Sequence, residues 1–289
     1  MSSNDLVLTT QQLEYLLAVD RAPTWADAAT EVGVTPSALS QGIAELERRL
    51  GVSLFERDGR RRVPTADHAE VLRYAEQTVA ATHDLARWAQ RRRGGDIGRV
   101  RIGLIDAAAT HHCRDVLREY RDARPDIELL LTVGPSGGLL RDLSRADLDL
   151  VVCIQPPETP VGIEVAPILE DSLAVLAPAH SRTTRPSEWG PWVTFPTGSH
   201  TRRLVADALT RAGAPFDVVA ESHQPEVLRE MVLLGLGWTV LSLTGIGPVD
   251  DLRVVDDSFV SRRLVLARRS GSAPDQAADD LARALVGRR

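Results

Sequence analysis

The sequence contains no lysine, and all 34 of its basic residues are arginine. Cysteine occurs only at Cys113 and Cys153, which excludes a disulfide framework of the kind small secreted proteins use and predicts two buried thiols. No run approaches the roughly 18 apolar residues that a membrane-crossing helix requires. The first residues, MSSNDLVLTTQQ, lack the basic and apolar segments of an export signal. We therefore expect a cytoplasmic protein with no membrane partner.

The 289 residues suffice for about two domains, and 43% hydrophobic residues can supply their cores. A net charge of −6 with 26% charged residues excludes both a disordered chain and a uniformly basic coat for nucleic acid. The charge is nevertheless uneven. Between Arg48 and Arg62 six arginines stand against two acids, Glu56 and Asp58. This local positive cluster, not the total charge, indicates a polyanionic partner.

Two short helices joined by a tight turn are predicted behind a first amphipathic helix. Thr24 is placed to cap the second helix, which is predicted to stop at Gly33. The third helix is predicted to begin with Thr35 as N-cap and Pro36 at its first position, where the missing N–H costs nothing. A helix pair joined by a glycine-containing turn is typical of a helix-turn-helix.

The third helix opens with short or uncharged side chains, which can approach base edges in a major groove. Behind it, Leu54–Arg57 and Arg62-Val63 flank Asp58-Gly59, a strong turn signal that predicts a β-hairpin with arginines at its tip. Such a hairpin is a wing whose arginines can enter a minor groove or neutralise phosphates. The predicted DNA-binding residues are Thr35, Pro36, Ser37, Ser40, Gln41, Arg57, Arg60, Arg61 and Arg62.

The segment WADAATEVGVTPSALSQGIAELERRLGVSLFERDGRRRVPT, residues 25–65, resembles the N-terminal signature of LysR-type transcriptional regulators. The matching residues are Ala28-Ala29, Pro36, Ser40, Ile43, Leu46-Glu47, Leu50-Gly51, Leu54-Phe55, Arg57, Arg61 and Thr65. Leu16, Gly42 and His68 stand where the family has an aromatic, a basic residue and a glycine. The resemblance implies a winged helix-turn-helix over residues 8–65, with the helix-turn-helix at about 25–44, that binds double-stranded DNA.

Residues 66–93 are predicted to form one long helix with Thr65 as N-cap. At 1.5 Å per residue such a helix spans about 40 Å, too far to pack within a small domain. Its apolar stripe is predicted to pair with the same helix of a second chain, and the resemblance implies the same dimerising role in a homodimer or homotetramer. Gly94-Gly95 is predicted to form a hinge after it. The stripe comprises Leu72, Ala75, Val79, Thr82, Ala86 and Ala89.

Residues 97–289 alternate between predicted strands and helices, which favours a parallel sheet with helices on both faces. The pattern begins with a strand at 98–105 and restarts at 173–176, so we expect two α/β lobes with a cleft between them. The motifs RVRIG, LSRADLDLVV and GLGWTVL resemble the effector-binding domain of the same family, whose fold is similar to type 2 periplasmic binding proteins. The expected fold class is therefore α/β overall, with an N-terminal winged helix-turn-helix, a linker helix and a two-lobed effector domain.

Ligands of open α/β sheets bind beyond the carboxyl ends of the strands, near helix N-termini that attract anions. Three segments qualify here, at 106–110, 134–138 and 197–201. The predicted effector-binding residues are Asp106, Ala107, Ser136, Gly198, Ser199 and Thr201. For Ser136, Ser199 and Thr201 the alternative is an ordinary helix cap. An Asp106 carboxylate facing the cleft would suit an amine-bearing ligand, and the alternative is a surface acid.

No convergent set of reactive groups indicates an enzyme, so no catalytic residue is predicted. His111-His112-Cys113 could suggest a metal, but three consecutive helical residues spread over about 200° and cannot jointly chelate. The 134–138 segment lacks the Lys-Ser/Thr ending of a phosphate-binding loop. A solute-binding receptor would share the two lobes but has no use for a winged helix. We expect a transcriptional regulator without metal or cofactor, whose partners are DNA, a small-molecule effector, its own copies and RNA polymerase.

Overall fold

The computed structural model describes residues 7–58, 61–92, 98–244, 246–248 and 251–287, without the side chains of Arg61, Arg91 and Arg92. The predicted DNA-binding residue Arg60 and the predicted hinge Gly94-Gly95 lie outside the described residues. Contacts divide the chain into two units. One comprises residues 1–93 with 144–146, and the other comprises residues 94–143 with 147–289.

The first unit contains the predicted helices and hairpin. Their bounds are α1 (Thr10–Arg21), α2 (Trp25–Glu31), α3 (Pro36–Leu50), β1 (Phe55–Asp58), β2 (Arg61–Pro64) and α4 (His68–Arg92). The hydroxyls of Thr24 and Thr35 accept hydrogen bonds from the backbone N–H groups of Asp27 and Ala38, at 3.2 Å in both cases. Caps of this kind each stabilise by about 1 kcal/mol. Gly51 ends α3 with a φ of 72°, which glycine adopts without strain.

The core of this unit lies between α1, α3 and the start of the hairpin, where Leu16, Leu39, Ile43 and Leu46 are fully buried. Gly42 lets α3 approach α1 closely. A Cβ atom at this position would lie 2.5 Å from Cδ2 of the Tyr15 ring, closer than real contacts allow. The absence of a basic residue at position 42 therefore has a packing cause.

The long helix α4 does not begin where the sequence predicts. Thr65 is not its N-cap, because α4 starts only at His68; the Thr65 hydroxyl donates to the carbonyl of Ser53 at 2.6 Å, and its N–H donates to the carbonyl of Leu54 at 3.0 Å. Thr65 thereby closes the base of the hairpin, and α4 starts at His68. The His68 ring is buried and lies edge-on to Phe55, with ring centroids 5.0 Å apart.

The predicted apolar stripe of α4 is wrong in its first half. Ala75 and Val79 are buried in the core of their own unit and cannot meet a second chain. The large apolar side chains that α4 exposes are instead Tyr74, Leu85 and Trp88.

The second unit is α/β. Its strands are β3 (Arg99–Leu104), β4 (Glu128–Val133), β5 (Leu150–Ile154), β6 (Ile163–Pro178), β7 (Trp192–Thr194), β8 (Val218–Glu221), β9 (Thr239–Ser242) and β10 (Leu252–Arg269). Its helices are α5 (Arg114–Ala123), α6 (Ser136–Ser144), α7 (His200–Ala212), α8 (Pro225–Leu233) and α9 (Gln276–Val286). A π-helical turn at Ala108–His112 precedes α5, and a 3-10 turn lies at Pro186–Glu188.

The main sheet has the strand order β4-β3-β5-β10-β6-β9. Strands β3, β4 and β5 are parallel, as predicted, but β10 runs antiparallel to both β5 and β6, and β9 is antiparallel to β6. The predicted parallel arrangement is therefore confirmed for β3, β4 and β5, but the prediction did not include the antiparallel strands. It missed the length of β6 and β10, which span 16 and 18 residues, because only their apolar ends read as buried strands.

The two long strands join two lobes. The first core includes Leu264–Ala267 of β10 together with β3 and β5. Residues 173–177 of β6 contribute to the cores of the second lobe, one around Trp192 and Trp238 and one around Leu228 and Val232. The predicted fold class, with two α/β lobes behind a winged helix-turn-helix, is confirmed.

Candidate functional site

The first turns of α3 present uncharged polar groups on the side opposite the buried Leu39 and Ile43. Among the predicted DNA-binding residues there, Ser40 is half-buried, and the exposed ones are Thr35, Pro36, Ser37 and Gln41. Because the free N–H groups at a helix N-terminus carry a partial positive charge, this end of α3 favours phosphate nearby.

Two arginines of the positive cluster share one carboxylate within α3. The Glu45 carboxylate accepts hydrogen bonds from Nη2 of Arg48 and Nε of Arg49, both at 2.5 Å. These bonds lower the pKa of Glu45 to about 2. Glu45 compensates only one of the two positive charges, so this end of α3 stays positively charged while its two arginine side chains are held at the carboxylate.

The hairpin pairs Arg57 with Arg62 and Asp58 with Arg61. The Arg62 guanidinium lies 4.2 Å from the ring centroid of Trp25, a cation–π contact that holds it against α2. Arg57 is exposed and has no ion pair with any residue that the structure describes. Arg60 and the side chain of Arg61 lie outside the described residues.

One carboxylate joins the hairpin to α3. Oε1 of Glu47 accepts the backbone N–H groups of Leu54 at 2.7 Å and of Phe55 at 3.1 Å. Glu47 thus fixes where the hairpin leaves the helix. The sequence marks Glu47 as a family match but carries no signal for this role, because the contact spans a turn whose geometry is not encoded locally.

A cavity of about 280 Å³ opens between the two lobes of the second unit. Five predicted effector-binding residues line it, namely Asp106, Ala107, Ser136, Ser199 and Thr201. Gly198 does not belong to its lining, since it sits exposed in the turn before α7 with a φ of 89°. The prediction missed four further lining residues with polar or aromatic side chains, which are Phe195, His223, Gln224 and Arg262.

Three helices begin at the wall of this cavity. Ser136 is the first residue of α6, and Ser199 and Gln224 stand directly before α7 and α8. The Ser199 hydroxyl accepts the N–H of Arg202 at 3.4 Å, so Ser199 is a helix cap as well as a lining residue. The buried Ser136 hydroxyl accepts the N–H of Ile154 at 3.3 Å. Each hydroxyl keeps its own proton to donate to a ligand.

A buried ion pair lies beside the cavity. Nη2 and Nε of Arg262 donate to Oδ2 of Asp171 at 2.8 and 2.9 Å, and the Ser242 hydroxyl donates to Oδ1 at 2.6 Å. Burial raises the pKa of Asp171, but His112, Arg262 and Ser242 outweigh it and lower the pKa to about 2. Burial lowers the pKa of Arg262, and Asp171 opposes that shift.

Arg262 also connects this ion pair to the start of α7. Its Nη1 donates to the hydroxyl of Thr201 at 3.3 Å. Thr201 on α7 is thereby linked to Asp171 on β6 through one side chain of β10. Nothing in the sequence distinguishes the buried Arg262 from its exposed neighbour Arg263, because both lie in a stretch of mixed charge.

Asp106 follows β3 on the first lobe, and its Oδ1 is buried without a hydrogen-bond partner among the described residues. Burial raises the pKa of Asp106, the charge of Glu226 raises it further, and His111 opposes both. Glu226 lies in the first turn of α8 on the second lobe. Both carboxylates line a recess of about 10 Å³ that shares Ala107, Phe195 and other residues with the main cavity. One acidic residue from each lobe therefore lines this recess.

The histidines and cysteines do not form a further site in the described residues. No group of three or more His, Cys, Asp or Glu side chains there could hold a metal ion. Cys113 and Cys153 are free and buried, and burial raises their thiol pKa values to about 11 and about 12. No helix among the described residues is long and apolar enough to cross a membrane.

Comparison with known proteins gives matches in both units. Residues 10–67 match the model of the bacterial regulatory helix-turn-helix protein, lysR family, and residues 93–288 match the LysR substrate binding domain. The HTH-type transcriptional regulator CbbR of Xanthobacter flavus is 29% identical over 81% of this chain and 72% of its own. The regulator IlvR of Caulobacter vibrioides is 26% identical, covering 92% and 99%. A cysteine variant of full-length OxyR from Pseudomonas aeruginosa has the same fold, with a TM-score of 0.63 at 20% identity over 96% and 98% of the two chains.

Proposed function

The chain belongs to the LysR family of transcriptional regulators, and on that premise we propose which of its residues read DNA, bind the effector and pair two copies. It is a DNA-binding transcriptional regulator with an effector-binding domain. A solute receptor without a transcriptional role, the alternative that the two lobes alone allow, has no support, since residues 10–67 match a helix-turn-helix of this family.

The DNA-reading surface consists of the first turns of α3 and the hairpin. Ser37, Ser40 and Gln41 contact base edges, while Thr35 and Pro36 bring the helix N-terminus to a phosphate. The arginines at positions 57 and 60–62 contact the phosphate backbone or the minor groove. The observation that supports this division is charge. Glu45 holds Arg48 and Arg49 in ion pairs at the end of α3, whereas Arg57 on the hairpin forms no ion pair with a described residue.

The effector binds in the cavity between the lobes, at Asp106, Ala107, Ser136, Ser199 and Thr201, with Gly198 in the turn beside it. The single observation that carries this proposal is that loops distant in sequence line one cavity. A ligand there contacts both lobes, so it shifts the population toward the lobe arrangement that it binds better. Arg262 provides a physical link, because it joins the Thr201 end of α7 to the strands that connect the lobes.

Two copies of the chain pair through α4, as a homodimer or within a homotetramer. The exposed Tyr74, Leu85 and Trp88 on a helix of 25 residues support this pairing. We further infer that the protein is not an enzyme, that it acts in the cytoplasm where the chromosome is, and that it contacts RNA polymerase there.

The experiment that tests the DNA-reading proposal is binding of the purified full-length chain to labelled DNA from upstream of its own gene. Specific binding that survives random competitor is expected, and Gln41→Ala should lose discrimination by about 1–3 kcal/mol between operator and mismatched operator. Exposed Gln90→Ala on α4 is the matched control. An unchanged specificity in Gln41→Ala together with Ser40→Ala would contradict the assigned surface.

The effector proposal is tested by blocking the cavity. Ala107→Phe fills the space that a ligand needs, so a reporter driven by the operator should stop responding to growth conditions that alter its wild-type output. Operator affinity of the purified variant should stay unchanged, which separates a filled cavity from a misfolded chain. A wild-type response in both Ala107→Phe and Thr201→Val would place the effector elsewhere.

A further inference from the structure

The charges at the cavity do not balance. The guanidinium of Arg262 is already compensated by Asp171, with two contacts under 3 Å. Asp106 and Glu226 have no such compensation, since neither forms an ion pair within the described residues. The end of the cavity that adjoins the recess is thus acidic, because Asp106 lines both and Glu226 lines the recess, where its charge disfavours the ionised form of Asp106.

A metal ion does not suit this end. The two acids are accompanied there by His111, but the described residues hold no group of three or more potential ligands with the geometry for an ion. A protonated amine needs less. It donates three hydrogen bonds in flexible directions, and a carboxylate oxygen that is buried without a donor, as Oδ1 of Asp106 is, gains most from such a partner.

The part of the cavity outside the recess favours the opposite charge. The first turns of α6 and α7 reach the wall with Ser136, Ser199 and Thr201, whose hydroxyls can donate. These helices have 9 and 13 residues, long enough for their N-termini to attract an anion. Because Ser136 and Thr201 are buried, a carboxylate bound there would be largely screened from water, which strengthens its hydrogen bonds.

We propose that the effector is a small zwitterion of the amino-acid type, with its ammonium group against Asp106 on the side of Glu226 and its carboxylate at the first turns of α6 and α7. The inference rests on the proposed function, which requires only that the cavity bind an effector. The cavity of about 280 Å³ is small for a ligand pocket, which fits a compact molecule. An ammonium group between acids on different lobes cancels their repulsion, so the ligand favours closure of the cleft.

The test is a thermal-shift titration of the full-length chain with matched compounds. Each common amino acid is compared with the carboxylic acid that lacks its amine and with the amine that lacks its carboxylate. At least one amino acid should raise Tm, and both of its truncated counterparts should bind about tenfold or more weakly, because each leaves a charged group of the site without its partner. A carboxylic acid or an amine that binds as tightly as the amino acid would overturn the proposal.

Asp106→Asn then tests the position of the ammonium group. It keeps the size of the side chain and removes its charge, so affinity for the amino acid should fall about 10-fold to 100-fold while affinity for the deaminated acid is retained. Glu226→Gln should show the same change in preference to a smaller extent. Glu230→Gln, an exposed acid farther along α8, is the control and should keep wild-type preference.

The outcomes separate the two levels of the argument. Stabilisation by an uncharged or purely anionic compound that also alters operator binding rejects the zwitterion and leaves the proposed effector cavity in place. If no amino acid raises the Tm of a chain that binds its operator, the zwitterion is rejected as well. An unchanged preference in both Asp106→Asn and Glu226→Gln rejects the assigned ammonium position. Failure of the cavity itself is read from the Ala107→Phe reporter and does not depend on these titrations.

Discussion

The carboxylate of Asp171 on β6 and the guanidinium of Arg262 on β10 form an ion pair in which both residues are buried, with relative exposures of 4% and 6%. The pair lies where the two strands pass from one lobe to the other. Its remaining hydrogen bonds go to Ser242 and Thr201, so most of its polar atoms are satisfied. Two predictions concern this pair.

Loss of one partner should destabilise the chain strongly. Asp171→Asn leaves a buried guanidinium without its counter-charge, and the free energy of unfolding should fall by about 3–5 kcal/mol. The double variant Asp171→Leu with Arg262→Met removes both charges and should recover most of that loss. Urea unfolding followed by circular dichroism measures both. Equal destabilisation in the single and double variants would show that the strand positions themselves, and not the unpaired charge, set the cost.

The free energy of unfolding should also fall in acid as Asp171 becomes protonated, an effect that is absent from the double variant because it has no Asp171. The pKa of Asp171 is lowered from 3.8 to about 2. The pair's contribution is therefore fully present above pH 3.8 and is lost as the pH falls toward 2, where the folded state takes up its proton. Over this pH interval the unfolding free energy of the wild type should fall relative to that of the double variant. A difference that stays constant with pH would contradict the assignment of the shift to Asp171.

Glu47 should couple the stability of the hairpin to that of α3. Glu47→Ala leaves the N–H groups of Leu54 and Phe55 without their acceptor, at a cost of about 1–3 kcal/mol. Operator affinity should fall in the same variant, since the hairpin loses its fixed position. Glu47→Gln keeps an oxygen at the acceptor position and should restore both quantities in large part. Wild-type affinity in Glu47→Ala would mean that DNA binding does not depend on this contact.

Arg57 should contribute to DNA binding through its charge alone. Arg57→Gln is expected to weaken binding to operator and random DNA alike and to reduce the slope of log affinity against log salt by about 1. Arg118→Gln, an exposed arginine of the second unit, should leave the slope unchanged. Fluorescence anisotropy at several salt concentrations measures the slopes. A loss confined to the operator would instead assign Arg57 to base recognition.

Substitution of Gly42 by alanine should lower the stability of the protein, although the same change usually stabilises a helix. Alanine normally stabilises a helix interior relative to glycine, but at position 42 its Cβ meets the Tyr15 ring, and a loss of about 1–3 kcal/mol is expected. Gly137→Ala in α6 is the control, because its Cβ has its nearest neighbour at 3.8 Å and should not destabilise. Thermal unfolding measures both. Adding Tyr15→Leu to Gly42→Ala should return part of the loss.

The sequence predicts the helices of the first unit well because their boundaries depend on local signals. Thr24 and Thr35 cap their helices through residues three positions away. Thr65 fails as a predicted cap because its hydroxyl and its N–H hold it to Ser53 and Leu54 at the base of the hairpin, and the helix starts only at His68. The bond to Ser53 spans 12 residues, and no local pattern reveals it. Arguments from local propensity are sound only where no distant contact fixes the position of the same residue.

The site shows the same division. Loops that follow strands could be placed at one edge of a sheet from the alternation of elements, and most of the predicted effector residues do line one cavity. Arg262 could not be predicted, because its partners Thr201 and Asp171 are 61 and 91 residues away. Its strand also carries several other charged residues, so the sequence pattern does not indicate that Arg262 is buried. Tertiary pairing of the long strands, not local periodicity, places this residue in the site.

The contact between Gly42 and Tyr15 limits how mutation can alter the DNA sequence that this regulator recognises. A basic side chain at position 42 would add a phosphate contact to α3, yet no such side chain fits while the tyrosine ring occupies that space. A mutant with arginine at position 42 alone would fold poorly before it could bind DNA more tightly. The two positions must therefore change together, and single-step variation in DNA recognition is confined to the exposed residues around them.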